Sequence, residues 1–131
     1  MNARIILAII TTVMGFTVLA TATAAPELSE ERKGPHGGKL LQEGDFSIEV
    51  TIFESGIPPE MRLYVYQDAT PLAPHEVTIR ATLNRLGGDQ DTISFEPEQN
   101  YLVGDMEIVE PHSFDVELNA THGTANYRFQ Y

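Results

Sequence analysis

Residues 45–53 read Asp-Phe-Ser-Ile-Glu-Val-Thr-Ile-Phe, and polar and apolar side chains alternate through the first eight of these nine positions. A period of two belongs to the β-strand, in which successive side chains point to opposite faces. Phe46, Ile48, Val50 and Ile52 then make one apolar face, and Asp45, Ser47, Glu49 and Thr51 a polar one. The segment reads as a strand with one side against a core and the other toward water.

The same pattern recurs on both sides of this stretch. Val77, Ile79, Ala81 and Leu83 alternate in 76–86, Phe114, Val116, Leu118 and Ala120 in 113–121, and Tyr127, Phe129 and Tyr131 at the end. Shorter strands are expected at 39–42, 61–67, 91–95, 101–103 and 106–109. Between them stand residues that tolerate positive φ: Glu43-Gly44, Gly87-Gly88-Asp89, Gly104-Asp105 and His122-Gly123. Prolines 58, 59, 71 and 74 mark two longer connections. Many short strands with turn signals between them predict an all-β fold, a single β-sandwich of immunoglobulin-like plan.

The N-terminus has a different character. Arg4 precedes an apolar run over 5–19, and Ala22-Thr23-Ala24 follows with the small-residue spacing of a cleavage site. This is the layout of a secretory signal, expected to occupy 1–24. An uncleaved anchor is the competing reading, but the run is shorter than the roughly 20 residues a membrane span requires. Residues 25–34, APELSEERKG, carry no hydrophobic period and read as a flexible charged leader. The sandwich is then expected over 35–131, with no membrane span once the signal is removed.

The formal net charge is −11, and cleavage removes Arg4 but none of the 19 acidic residues. Such a surface repels nucleic acid and attracts cations. With no cysteine in the chain, disulfides, thiolate metal sites and a lipidated N-terminal cysteine are all excluded. A metal ion would need histidine, carboxylate or methionine, and Met61 and Met106 read as packing residues.

No nucleophile elbow, phosphate loop, H-E-x-x-H or dinucleotide loop occurs, so the chain is read as non-enzymatic. The four histidines carry what chemistry there is. His36 lies in Gly34-Pro35-His36-Gly37-Gly38, His112 in Glu110-Pro111-His112-Ser113, and His122 in a turn. His75 follows Pro74 and reads as structural or exposed. No two have the spacing that brings imidazoles together locally, so only the fold could assemble a site. His36 and His112 are the candidate metal ligands; Glu49, and less directly Asp115, could supply oxygen from the polar face of a strand. Each has a plainer role available, as a turn residue, a buried structural histidine or part of the leader.

From Gly34 onward the chain resembles a known family. The blocks GPHGGKLLQEGDFSIEVTIFESGIPPEMRLYVY, PLAPHEVTIRATLNRLGG and EPHSFDVELNATHG are similar, in order, to an N-terminal β domain of periplasmic adaptor (membrane-fusion) subunits. Those subunits serve RND efflux systems of the cobalt–zinc–cadmium and copper–silver kind. The resemblance implies a periplasmic location, an RND pump or its adaptor components as partner, and metal ions as cargo. His36, His112 and Glu49 fall inside the similar blocks. The lipoyl-like, hairpin and membrane-proximal domains of a full adaptor are not in this chain, which implies an accessory domain or a truncated remnant.

Two functions follow as expectations. One is an accessory that binds or presents Zn(II), Co(II), Ni(II) or Cu(II) to an efflux complex. The other is a docking module that binds a partner protein and no metal.

Overall fold

A computed structural model describes residues 31–109 and 113–131 of the chain. Among the described residues nine strands form: β1 (Lys39–Glu43), β2 (Phe46–Phe53), β3 (Glu60–Gln67), β4 (Thr70–Pro71), β5 (Val77–Arg85), β6 (Gln90–Pro97), β7 (Leu102–Glu107), β8 (Phe114–His122) and β9 (Ala125–Gln130). A 3-10 turn, Pro74–Glu76, leads into β5. The all-β architecture expected from the alternation is the one adopted.

Pairing is antiparallel throughout, in the order β1-β2-β3-β7-β6-β5-β8-β9, with β4 added beside β3. β6 belongs to two layers. Its first half pairs with β5 from Gln90 to Ser94, and its second half pairs with β7 from Phe95 to Pro97. One strand thus turns the corner between two sheets, which gives a sandwich verging on a barrel.

The core lies between the layers. Ile48, Leu63 and Leu102 from the first meet Ile79, Leu83, Val116 and Leu118 from the second, all nearly or completely buried. Phe46 stacks on Tyr127 across the gap, with centroids 4.0 Å apart and planes within 6°. Without disulfides, burial of this apolar set is what holds the domain together.

Two details differ from the sequence pattern. Gly104-Asp105, expected as a turn, lies inside β7. A side chain at 104 would press on Ile93 at 2.9 Å, so glycine serves close packing there. The Asp105 carboxylate accepts the Ser94 N–H at 3.0 Å. Conversely, Asp68 and Ala69, with φ of 50° and 59°, make the tight turn from β3 to β4 without glycine.

Strand pairing also reaches back past Pro35. Lys33 bridges to Lys39, and the Leu40 N–H donates to the Arg32 carbonyl at 2.8 Å, inside the segment read as a leader. The expected signal segment, residues 25–30 and His112 lie outside the described residues. Among the described residues, no helix is long and apolar enough to cross a membrane.

Candidate functional site

The register of β2 against β3 places Glu49 directly opposite Tyr64, and Ser47 opposite Tyr66. These side chains share the outer face of the first layer, the face that alternation assigns to water. Glu49 is nevertheless completely buried and Ser47 nearly so. The physical reason is a cover.

Residues 34–38 fold over this face as a closed loop. Gly37 N–H donates to the Gly34 carbonyl at 3.0 Å, and Gly34 N–H to the Gly38 carbonyl at 2.9 Å. The approach is too close for side chains at either end: a Cβ on Gly34 would fall on the Glu49 carboxyl, and one on Gly38 on the Val50 carbonyl. Gly37 sits at a φ of 79°, a left-handed conformation that glycine adopts without strain.

Glu49 fastens the loop from beneath. Its Oε1 accepts the backbone N–H groups of His36 (2.7 Å) and Gly38 (3.0 Å). Its Oε2 lies 2.9 Å from His36 Nδ1 and accepts the Tyr66 hydroxyl, also at 2.9 Å. Burial by itself would raise the carboxyl pKa, but the hydrogen bonds from the His36 ring, Gly38, Tyr66 and the His36 backbone hold it below the ordinary range. The Tyr66 phenol is pushed well up, first by burial and then by its hydrogen bond to the Glu49 carboxylate.

An ionised carboxylate only accepts hydrogen bonds, so Nδ1 carries the proton when it faces Oε2. In the neutral ring the lone pair then belongs to Nε2, which has no hydrogen-bond partner among the described residues. The ring lies flat on Tyr64, with centroids 3.6 Å apart and planes 9° apart. Its side chain is 40% exposed. A carboxylate behind one ring nitrogen, with the other left open, is the arrangement that orients histidine as a metal ligand.

His36 borders a cleft of about 410 Å³ whose walls include Tyr64 and Tyr66, the segment 71–75 and the loop 97–100. His75 and Glu98 line the same cleft, and no lysine or arginine does. His75 was not expected to take part, because nothing near it in sequence suggests a partner. Two connections bring it here: Tyr66 pairs with Pro71, and the Leu72 N–H donates to the Val65 carbonyl at 2.8 Å.

The other expected residues are dispersed. His122 ends β8 beside Phe46, with ring centroids 6.2 Å apart. Asp115 is exposed on β8, in the opposite layer from Glu49. Among the described residues, no three histidine, aspartate or glutamate side chains are gathered as a ready-made metal site.

Fold and cleft together define a small β domain that displays one braced imidazole on the outside of a sheet. Its family is shown by comparison: residues 38–129 match the family described as the CzcB N-terminal domain, and the chain belongs to it. The chain is 30% identical over 92 residues to a cobalt-zinc-cadmium resistance protein CzcB of Cupriavidus metallidurans. It has the same identity and length of match to a cation efflux system protein CzcB of an Alcaligenes species. The match covers 70% of this chain but 18% of each relative. Glu49, Tyr64, Tyr66, His75 and Glu98 lie inside the matched stretch, and His36 stands two residues before it. No solved structure matches the chain.

Proposed function

We propose that the chain is a periplasmic accessory domain of a heavy-metal RND efflux system, and that it presents a transition-metal ion on His36. The observation that carries this reading is the Glu49 carboxylate at Nδ1, which leaves Nε2 open on an exposed ring. Glu49 then acts as the brace behind the ligand, since both its oxygens already accept hydrogen bonds. Membership of the CzcB N-terminal domain family supports the efflux association, and a net charge of −11 supports attraction of cations. The domain works by binding and display, without catalysis.

The test is calorimetric titration of the purified chain with Zn(II), Co(II), Ni(II) and Cu(II). Saturable binding near one ion per chain is expected, and His36→Ala abolishes it. Glu49→Gln weakens it by about 10–100-fold, as loss of a ligand's hydrogen-bonding partner does elsewhere. Wild-type affinity in His36→Ala would remove the site.

A metal-free docking role is the second reading, favoured by the apolar Pro71, Leu72 and Pro74 in the cleft wall. It expects a thermal midpoint that no metal ion moves.

A further inference from the structure

We infer that the second protein donor to this ion is His75, with Glu98 as the third group at the site. The inference rests on the reading of His36 as a ligand and specifies the site that reading leaves incomplete.

Both histidines take their positions from β3. His36 is set by stacking on Tyr64 and by the Glu49–Tyr66 pair beneath it. His75 is set by the segment that pairs Pro71 with Tyr66 and bonds Leu72 to Val65. Its 3-10 turn is fixed further by the buried Pro74 and by the Glu76 carboxylate, which accepts the Ala73 N–H at 3.1 Å. Glu76 is thereby occupied, and His75 is left exposed on the cleft side.

Across the cleft, the loop carrying Glu98 is closed by the Glu98 N–H donating to the Tyr101 carbonyl at 2.9 Å. The side chains of His75 and Glu98 engage no other described residue through a hydrogen bond or ion pair. Turning toward an ion held at His36 Nε2, across the cleft that all three residues line, would break no existing interaction of theirs. The three donors are not gathered as a ready-made cluster among the described residues, so the proposed site requires His75 and Glu98 to close on the ion when it binds.

The chemistry of the donors sets the class of ion. Two imidazole nitrogens and a carboxylate oxygen, with no sulfur donor in the cleft, suit divalent borderline ions such as Zn(II) and Co(II). Soft monovalent Cu(I) and Ag(I) would find no preferred ligand. Glu98 is the formally charged side chain of the lining and favours a cation there. Three protein donors leave a coordination position open, which suits transfer of the ion to another carrier.

The decisive experiment titrates the full chain with Co(II), read by calorimetry and by the visible d–d absorption of the bound ion. His36→Ala, His75→Gln, Glu98→Gln and His112→Ala are compared with wild type, and circular dichroism confirms that each is folded. His75→Gln should lose about tenfold or more in affinity, at least the scale of removing a hydrogen bond behind a ligand, and should change the absorption band. Glu98→Gln should weaken binding less, and His112→Ala should leave both readouts unchanged. If His36→Ala abolishes binding while His75→Gln matches wild type, His36 stands as a ligand and this inference falls. The inference falls equally if His112→Ala is the variant that abolishes binding. No saturable Co(II) binding by wild type overturns the metal reading itself.

Discussion

β2 and β5 carry the same alternating pattern and meet opposite fates. Along β5, Val77, Ile79, Ala81 and Leu83 are buried, while Thr78, Arg80 and Asn84 face water. Along β2 both faces are buried from Phe46 to Val50, and over Glu49 the cover is the loop 34–38. Alternation tells which side chains share a face. Whether the polar face stays wet depends on what the rest of the chain lays over it. On β5 the polar residues stay in contact with water, and on β2 Glu49 holds a histidine.

The largest effect should come from Glu49→Ala. It leaves the buried Tyr66 hydroxyl and two part-buried backbone N–H groups without their acceptor. A fully buried unsatisfied group costs about 1–3 kcal/mol, and water reaching the N–H groups holds the total to about 2–4 kcal/mol. Urea denaturation would measure this beside Arg80→Ala on β5, expected to stay within about 0.5 kcal/mol. Equal effects of the two substitutions would erase the distinction between the strands.

The same carboxylate sets a pH dependence. Its folded pKa lies below the ordinary value of 4.5, so its stabilising contribution is complete above about pH 4.5. The contribution is lost as the pH falls below that value and through the group's own depressed titration. The stability gap between wild type and Glu49→Gln should therefore be constant near neutrality and narrow in acid. A gap that held its size through acid would show that the charge of Glu49 contributes nothing.

Gly38→Ala probes the cover rather than the brace. The added methyl group meets the Val50 carbonyl and the Thr51 methyl group, and overpacking of this kind typically costs about 1–3 kcal/mol. Gly44→Ala has open space around it but a φ of 58°, so its smaller cost, about 1 kcal/mol, is conformational alone. Only the Gly38 variant should also weaken metal binding, because only there does the loop carrying His36 have to shift.

The fold was legible because alternation is local: the inward residues of β5, β8 and β9 follow from spacing alone. His36 and Glu49 were legible as residue types, and their partnership was not, since it depends on a loop crossing a strand thirteen positions away. A signal for the cover was present in Leu63-Tyr64-Val65-Tyr66, where large apolar and aromatic side chains occupy both faces of β3. Such a strand must be covered on each side. His75 had no comparable signal, because its approach to His36 is made by backbone pairing of Pro71 and Leu72 with β3.

The smallest effect should come from the outer face of the second layer. There Arg128 donates to Glu117 at 2.7 Å, and Asn119 and Gln130 donate to the same carboxylate. These bonds lower the Glu117 pKa, first through Asn119 and then through Arg128, much as hydrogen bonds lower that of Glu49. Water competes for every one of them, because the Arg128 side chain is 63% exposed. Arg128→Ala should leave the thermal midpoint unmoved within the error of a melt, in low salt and in high. A clear drop that disappears with salt would show that this exposed network stabilises the sheet. The contrast with β2 would then lie in degree, with burial strengthening an interaction that both faces already use.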